Sequence, residues 1–325
     1  MDGAIVVSRL GGPEVLEWSR KDPGEPGPGQ VLVRHTAVGL NFIDVYHRTG
    51  LYPLELPFTP GVEAAGVVER VGAGVDDLKS GDRVAYLLNG PIGSYCEARV
   101  LPRDRLFPLP DAIDDATGAA IMLKGCTVEY LVRRTYPVKK GDWTLVHAAA
   151  GGVGLLMCQW LAALGAHVIG TVGSEQKAEL VKANGCDHAI LYRSEDVAAR
   201  VNEITGGRGV DVAYDSVGKD TFEGSIDSLR PRGIMVSFGN ASGPVQPVAP
   251  LLLAQKGSLF LTRPTIGHYY RNREESAEGV GALFDVVSSG KVRPHIGARF
   301  SLAEAAEAHR ALEARETVGS TVLVV

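Results

Sequence analysis

The 325-residue sequence predicts an α/β protein in which a doubly wound parallel sheet is joined to a compact antiparallel β-barrel. Residues 1–120 hold short strand-like runs between glycine-rich turns, residues 142–262 alternate strand and helix, and the pattern changes again after Arg263–Pro264. This length allows two domains of ordinary size. We expect a first domain from residues 1–122 and 264–325, interrupted by a second domain at residues 123–263.

The first domain begins with β-like runs bounded by glycine and proline, which are typical of a small barrel. These runs are Ala4–Val7, Val31–Val38, Ala65–Val71, Arg83–Leu87 and Tyr95–Leu101. From about Ala116 the apolar residues recur at helical spacing.

The second domain opens with one βαβ unit. Residues 145–148 form an apolar run of strand length, apolar residues follow at helical spacing up to Gly165, and residues 168–172 form the next strand. Further along, Val210–Asp215 and Ile234–Phe238 are predicted strands around a helix at Phe222–Leu229. This alternation predicts a parallel sheet with helices on both faces.

Between the first strand and its helix lies a dinucleotide fingerprint with one substitution. Ala149, Gly151 and Gly154 occupy the three positions of G-x-G-x-x-G, with Gly152 and Val153 between them. Gly151 lets the backbone approach a pyrophosphate, Gly154 lets helix and strand pack closely, and the helix N-terminus attracts the phosphates. The sequence therefore predicts a Rossmann-type nucleotide domain.

The end of the second strand favours NADP over NAD. An acid at this point binds the ribose hydroxyls of NAD, but here the residue is Gly173, and Ser174 and Lys177 follow it as donors for a 2′-phosphate. Glu175 is the competing signal, although a carboxylate in the first turn of a helix is also favourable by itself.

The closing segment predicts two helices and a returning strand. A helix runs from about Glu274 to Ser288 with Gly290 beyond its end, and Ser301–Glu304 is a capping box that opens another. Ser320–Val325 reads as a strand that returns to the first domain. Before this segment, the apolar stretch 245–261 ends in a strand at Ser258–Leu261, whose exposed edge predicts a homodimer.

Composition excludes several classes of protein. The net charge is −5 and the sequence contains no basic cluster, so a nucleic-acid partner is not expected. We find neither a signal-peptide pattern nor an apolar run of membrane-spanning length, and the four cysteines show no paired spacing. These features favour a cytoplasmic protein that does not enter a membrane.

A nucleotide domain inserted into a discontinuous barrel resembles the medium-chain dehydrogenase/reductase superfamily. Within it, the chain resembles the zeta-crystallin-like NADPH:quinone oxidoreductases in blocks that match in order and spacing. These blocks are NFIDVYHRTGLYP (41–53), GVEAAGVVERVG (61–72), GDRVAY (81–86), LKGCTVEYLVRRTY (123–136), HAAAGGVG (147–154), YDSVG (214–218), SFGNASG (237–243) and QKGSLFLTRP (255–264). The resemblance implies a GroES-like catalytic domain, NADPH as cofactor, a quinone as acceptor and a homodimer.

The zinc ligands of the alcohol dehydrogenases in this superfamily are missing. Val62 stands at the position of the histidine ligand, residues 41–44 contain no thiol, and no C-x-x-C surrounds Cys96. A zinc site requires three or four Cys, His or carboxylate ligands. We therefore expect chemistry without a metal.

The resemblance also implies the site residues. Asn41, Asp44, Tyr46 and Tyr52 are expected to line an acceptor site, Thr127 and Tyr130 to lie across from them, and Arg263 to lie beside the nicotinamide. Packing of the two tyrosines, a capping role for Asn41 and a domain-boundary salt bridge for Arg263 are the structural alternatives. Lys124, which the resemblance places at a helix start beside the cofactor, can equally be a solvated lysine.

The carboxyl ends of the later parallel strands form the crevice in which such folds bind ligands. The residues expected to contact the cofactor there are Tyr192, Ser216, Phe238, Gly239, Asn240 and Ser242.

Three functions remain open from the sequence. The leading one is one- or two-electron reduction of a quinone by NADPH, since an electrophilic quinone needs positioning more than a Lewis acid. The second is reduction of an alkenal or enone double bond, and the third is a nucleotide-binding structural or RNA-contacting protein.

Overall fold

The computed structural model describes residues 1–87 and 91–325, which divide into two compact units. The first unit comprises Met1–Cys126, Tyr270–Ser288 and Pro294–Val325, and the second comprises Thr127–Tyr269 and Ser289–Arg293. The chain passes from one unit to the other after Cys126 and after Tyr269. The domain boundaries expected after residues 122 and 263 stay predictions.

The strands are numbered in chain order. They are β1 (Asp2–Val6), β2 (Glu17–Lys21), β3 (Gln30–Leu40), β4 (Glu63–Val71), β5 (Arg83–Leu87), β6 (Ala98–Pro102), β7 (Phe107–Pro108), β8 (Trp143–Val146), β9 (His167–Val172), β10 (His188–Leu191), β11 (Val210–Asp215), β12 (Leu229–Ser237), β13 (Phe260–Thr262), β14 (Ile296–Ser301) and β15 (Ser320–Val324).

The helices follow the same order. They are α1 (Phe42–Thr49), α2 (Asp115–Tyr130), α3 (Gly152–Ala163), α4 (Glu175–Ala183), α5 (Val197–Ile204), α6 (Phe222–Asp227), α7 (Pro250–Gln255), α8 (Ile266–Tyr269), α9 (Arg273–Ser288) and α10 (Ala305–Glu313). A π-helical turn, Leu131–Thr135, extends α2.

The second unit is built on a parallel sheet with strand order β10-β9-β8-β11-β12-β13. The order reverses between β8 and β11, so the carboxyl ends of these two strands form the switch point at which doubly wound folds bind ligands. All six residues of β11 are buried, as expected for a central strand covered on both faces. The predicted Rossmann-type fold is confirmed.

The first unit is organised around the eleven-residue strand β3, which pairs antiparallel with β4, β6 and β15. Its sheet has the order β14-β15-β3-β4-β5-β7, and β1 and β2 form a separate pair. The closing strand β15 returns to this unit as predicted, with Thr321 opposite Leu40 and Val324 opposite Ala37. This unit is therefore discontinuous in the chain.

Some predicted element ends are displaced. Helix α6 ends at Asp227 because Leu229 already pairs with Val210 in the sheet, whereas the sequence predicted helix through Leu229. The strand predicted at Tyr95–Leu101 begins only at Ala98. Before it, the Ser94 N–H donates to the Gly61 carbonyl and the Tyr95 N–H donates to the Pro60 carbonyl.

The capping box is formed as predicted, with the Ser301 N–H donating to Glu304 Oε2 at 2.9 Å. It opens a short 3₁₀ turn that leads directly into α10. No helix in residues 1–87 and 91–325 combines the length and apolar character that crossing a membrane requires.

Candidate active site

The fingerprint forms the turn between β8 and α3. The Gly151 N–H donates to the Ala148 carbonyl at 2.9 Å, and Gly152, Val153 and Gly154 begin the helix, where N–H groups have no acceptor within the helix. A Cβ atom on Gly154 would lie 2.6 Å from both Cα and O of Ala149, so this position requires glycine. A Cβ atom on Gly151 would meet only the Ala148 carbonyl, at 3.2 Å. The backbone is thus open at Gly151, where a phosphate would approach.

The adenosine end of the predicted cofactor site lies after β9 and β10. A Cβ atom on Gly173 would lie 2.9 Å from the Tyr192 hydroxyl and 3.4 Å from Arg193 Nε. Ser174 caps α4 by accepting the Lys177 N–H at 3.4 Å, which places Lys177 in the first turn beside Gly173. Glu175 is the first residue of α4 and is exposed, in agreement with a first-turn charge.

Arg193 is a cation that the sequence reasoning missed. In the sequence, only its position directly after Tyr192, at the end of β10, indicated that it lies near this site.

Two loops after β11 and β12 pack on each other. The Phe238 N–H donates to the Asp215 carbonyl at 2.8 Å, and a Cβ on Gly239 would overlap the Ser216 backbone. The Ser242 hydroxyl donates to the Val217 carbonyl at 2.9 Å. Of the predicted cofactor residues, Ser216, Phe238, Gly239, Asn240 and Ser242 are therefore gathered at the carboxyl ends of β11 and β12.

Tyr130 and Arg263 lie near each other in the second unit. Tyr130 is buried and stacks on Tyr269 with ring centroids 4.6 Å apart. Burial raises the pKa of the Tyr130 hydroxyl, and the charge of Arg263 opposes that rise. Thr127 is half-buried three residues earlier on α2.

In the first unit, Asn41 precedes α1 and is tied to a buried ion pair. Asn41 Nδ2 donates to Glu63 Oε1 at 2.7 Å, and Lys124 Nζ contacts the same oxygen at 2.9 Å. Glu63 is fully buried and Lys124 is 6% exposed. The solvated-lysine alternative for Lys124 is therefore wrong, and Lys124 lies inside α2 rather than at a helix start.

Asp44 lies in a second buried network of the same unit. Its Oδ2 accepts the Asn41 N–H at 2.9 Å and the Tyr95 hydroxyl at 3.0 Å. His309 Nε2 lies 3.1 Å from the Tyr95 hydroxyl, and His309 Nδ1 lies 3.1 Å from Arg48 Nη1. Because arginine only donates, Nδ1 accepts and the ring proton sits on Nε2.

Burial controls the charges of this second network. It raises the pKa of Asp44 from 3.8 to about 7 and lowers that of His309 from 6.5 to about 3, so the imidazole stays neutral. Tyr95, His309 and Arg48 were not predicted from the sequence, because His309 lies 214 residues from Tyr95 and 261 from Arg48.

Tyr46 and Tyr52 form an aromatic pair in the same unit. Their ring centroids are 5.2 Å apart at an interplanar angle of 68°, and the Tyr52 N–H donates to the Tyr46 carbonyl at 3.1 Å. Tyr46 is 8% exposed and Tyr52 is half-buried. The pair therefore joins the C-terminal part of α1 to the segment that follows it.

Known proteins show the same organisation along the whole chain. The zinc-binding dehydrogenase family matches residues 152–285, and the alcohol dehydrogenase GroES-like domain matches residues 27–111. A quinone oxidoreductase of Pseudomonas aeruginosa is 54% identical over 321 residues, which cover 98% of each chain. The chain belongs to the quinone oxidoreductase family.

Two further relatives bear on the activity. The solved structure of an Escherichia coli quinone oxidoreductase complexed with NADPH superimposes with a TM-score of 0.96 at 46% identity, over 99% of this chain and 100% of that chain. A 2-haloacrylate reductase of a Burkholderia species is 48% identical, over 99% of this chain and 98% of the relative. The resemblance to the medium-chain dehydrogenases/reductases is thereby confirmed.

The donor atoms of a metal site are not grouped in the described residues. Within residues 1–87 and 91–325, no cluster of three or more His, Cys, Asp or Glu side chains is placed to hold a metal ion. Val62, at the position of the missing histidine, is buried in the core.

Proposed function

We propose that this chain reduces quinones with NADPH and that it does so without zinc. The observation that carries the proposal is that Gly173, which has no carboxylate, lies next to the Tyr192 hydroxyl and the Arg193 guanidinium, with Lys177 in the adjoining turn. Two cations and a hydroxyl around a position without a carboxylate favour a 2′-phosphate. The quinone oxidoreductase relatives and the NADPH complex support the same conclusion.

The cofactor is proposed to bind along the carboxyl ends of the parallel strands. Ala149 and Gly151–Gly154 would hold the pyrophosphate, and Gly173, Ser174, Lys177 and Tyr192 the adenosine phosphate. Bound NADPH supplies a hydride to the acceptor. The loops at Ser216 and at residues 238–242, with Thr127, Tyr130, Arg263 and Asn41, would orient the remainder of the cofactor.

The acceptor is proposed to contact Tyr46 and Tyr52. Their rings can stack on a planar quinone and their hydroxyls can donate to its oxygens, where negative charge develops. Asp44 is fully buried and accepts the Asn41 N–H, so we propose that it fixes α1 and Asn41 rather than touching the acceptor. Reduction to the hydroquinone consumes one hydride and one proton.

Steady-state turnover with NADPH and NADH tests this function. Lys177→Ala should weaken NADPH binding about ten- to a hundredfold, because one charge-assisted contact contributes about 1.5–3 kcal/mol. The affinity for NADH should change little. Lys182→Ala, in the last turn of the same helix, is the matched control and should leave both cofactors unchanged. Equal losses for NADPH and NADH in Lys177→Ala would overturn the assignment of the 2′-phosphate site.

A second candidate function is reduction of an activated carbon–carbon double bond, which the 48%-identical 2-haloacrylate reductase favours. An acceptor panel containing quinones, 2-haloacrylates, alkenals and enones separates the two functions. Higher kcat/KM for a quinone supports the leading proposal, and higher kcat/KM for an alkene supports the alternative.

Metal independence is proposed from Val62 and from the lack of a thiol at residues 41–44. Elemental analysis should find substoichiometric zinc, and a chelator should leave turnover unchanged. Stoichiometric zinc together with chelator-sensitive turnover would contradict this proposal.

A homodimer is proposed through β13, the edge strand of its sheet. Phe260 is 61% and Leu251 66% exposed, whereas Leu259 is 6% exposed and belongs to the core. Phe260→Glu should therefore shift the protein toward monomer in light scattering, and Val71→Glu in the other unit should not. A wild type that is monomeric at micromolar concentration would refute the dimer.

A cytoplasmic location is proposed as well. The four cysteines are buried and form no disulfide with one another, which fits a reducing compartment.

A further inference from the structure

Asp215 ends β11 at the switch point of the parallel sheet, and its carboxylate is fully buried. Its Oδ1 accepts the Val217 N–H at 2.7 Å and the Gly218 N–H at 3.0 Å. Its Oδ2 accepts the Thr221 hydroxyl at 2.7 Å and the Ser225 hydroxyl at 3.1 Å. A carboxylate has about four lone-pair sites, so these donors occupy all of them and fix the side chain in one orientation.

A chain of hydrogen bonds fixes the Ser225 donor from its other side. Because the Asp215 carboxylate only accepts, the Ser225 hydroxyl donates to it and accepts the N–H of His147 Nε2, which lies 2.9 Å away. His147 Nδ1 then accepts the Thr171 hydroxyl at 3.1 Å. Burial lowers the pKa of His147, which keeps the ring neutral with a single N–H, as this chain requires. The chain connects Asp215 to the carboxyl ends of β8 and β9.

The loop at residues 238–243 rests on the backbone that Asp215 holds. The Val217 carbonyl accepts both the N–H and the hydroxyl of Ser242, at 2.8 and 2.9 Å. A Cβ atom on Gly218 would lie 2.7 Å from a carbonyl oxygen of that loop, so the two loops are in backbone contact here. Movement of Val217 and Gly218 would therefore move residues 238–243 as well.

The nicotinamide half of the proposed cofactor would lie against these two loops. The adenosine phosphate is assigned to the turn after β9 and the pyrophosphate to the turn after β8, and a dinucleotide crosses such a sheet where the strand order reverses. We propose that Asp215 is a positioning residue for the nicotinamide half of NADPH, because its carboxylate fixes the loops after β11 and β12. This proposal rests on the proposed function, which places the cofactor along these strand ends.

The test compares NADPH with 2′,5′-ADP, which carries the adenosine and its two phosphates and lacks the nicotinamide half. Isothermal titration calorimetry of the full-length protein measures both affinities, and the wild type should bind NADPH more tightly. Asp215→Ala removes the acceptor of both loop N–H groups. It should weaken NADPH binding about tenfold, which corresponds to one or two hydrogen bonds to the cofactor, and leave 2′,5′-ADP binding unchanged.

Two further variants change the contacts of this carboxylate without removing it altogether. The amide oxygen of Asp215→Asn can accept the Val217 and Gly218 N–H groups while its nitrogen donates to the two hydroxyls, so this variant should keep most of the affinity for NADPH. Thr221→Val is isosteric and removes the 2.7 Å hydroxyl contact. It should weaken NADPH binding about threefold, and it provides the measurement if Asp215→Ala does not fold.

Asp211→Ala is the matched control. Asp211 lies near the amino end of the same strand, is 3% exposed, and accepts hydrogen bonds from Arg208 and Arg230. Its loss should lower stability and keep the wild-type ratio of NADPH affinity to 2′,5′-ADP affinity. Because a general loss of stability weakens both ligands alike, this ratio separates positioning from structural support.

An unchanged ratio in Thr221→Val and in folded Asp215→Ala would overturn the positioning role. An equal fall of the ratio in Asp215→Asn and Asp215→Ala, or a similar fall in Asp211→Ala, would overturn it as well. A wild type that binds 2′,5′-ADP as tightly as NADPH would overturn the placement of the nicotinamide half beside these loops. A wild type that binds neither ligand would instead overturn the proposed function.

Discussion

The second unit, which contains the fingerprint, and the first unit, which contains α1, build their candidate sites from different chemical groups. At β8 and α3 the proposed cofactor site consists of backbone N–H groups and glycines within a few residues of each other. Around α1 the site rests on side chains brought together from Asn41, Glu63, Lys124, Tyr95 and His309. The first kind of site is specified locally, and the second depends on how the unit folds.

The two candidate sites differ in the energetic cost of their polar groups as well as in how far apart their residues lie in the sequence. Backbone N–H groups at a helix start remain polar whatever side chains surround them. Buried Arg48, Glu63 and Lys124 must each be matched by a partner, because an unpaired buried charge is costly. Substitutions in the two regions should therefore fail in different ways.

The largest effect is expected from Arg48→Met. Arg48 is 1% exposed, donates to both Glu313 oxygens at 2.8 and 3.0 Å, and donates to the Gly11 carbonyl at 3.1 Å. Its removal leaves His309 and Gly11 without their donor, and should lower the free energy of unfolding by about 3–5 kcal/mol.

Arg34→Met is the matched control. Arg34 also contacts two carboxylates, Asp2 and Glu69, but its side chain is 47% exposed. Urea unfolding should show a loss of about 1 kcal/mol or less for this variant. Similar losses of unfolding free energy in Arg48→Met and Arg34→Met would contradict the conclusion that burial makes the Arg48 contacts more important for stability.

Asp44 should make stability depend on pH. Burial raises its pKa from 3.8 to about 7, so the folded protein holds a proton that the unfolded chain releases between those values. Its stabilising contribution is complete below about pH 4 and is lost as the pH rises to 7, roughly 4 kcal/mol in all.

Asp44→Asn isolates this contribution when urea unfolding is measured from pH 4 to 7.5. The Tyr95 hydroxyl and the Asn41 N–H donate to Asp44, and the charges of Glu63 and Lys124 act on it. Buried His35, His47 and His309 have lowered pKa values, so their opposite slopes are present in both proteins and cancel in the difference. A constant difference between wild type and variant across this range would disprove the shift.

This contrast also explains what the sequence could predict. The βαβ unit, the fingerprint and the returning strand β15 follow from local periodicity, and the structure confirms them. The Tyr95 hydroxyl that donates to Asp44, and the His309 ring that contacts this hydroxyl, were beyond prediction, because nothing near Asp44 in the sequence indicates them. Lys124 shows the same limit, since its burial depends on Glu63, 61 residues away.

The fingerprint glycines should separate folding from binding. Gly154→Ala places a Cβ 2.6 Å from Ala149 Cα and O, and this overpacking should lower the free energy of unfolding by about 1–3 kcal/mol. Gly151→Ala meets only the Ala148 carbonyl at 3.2 Å, at a backbone φ of −78° that alanine tolerates. It should therefore keep its stability and weaken NADPH binding, because the backbone no longer approaches the phosphates closely.

Thermal unfolding and fluorescence titration of the two glycine variants measure both quantities. Equal loss of stability in both variants would show that Gly151 is a packing residue only.

The smallest effect is expected from Tyr46→Phe and Tyr52→Phe. Each change keeps the ring of the edge-to-face pair, whose centroids are 5.2 Å apart, and removes one hydroxyl. An electrophilic quinone depends little on a single donor, so kcat for quinone reduction should fall roughly tenfold or less, with NADPH affinity little changed.

Tyr46→Leu sharpens this prediction because it removes the ring as well as the hydroxyl. The lost aromatic pair is worth about 0.5–1.5 kcal/mol beyond its buried area, so this variant should lose stability where Tyr46→Phe does not. A fall of several orders of magnitude in kcat for either phenylalanine variant, with NADPH binding intact, would identify that hydroxyl as an obligatory proton donor. The first unit would then contribute a reacting group, and positioning alone would not explain its part in catalysis.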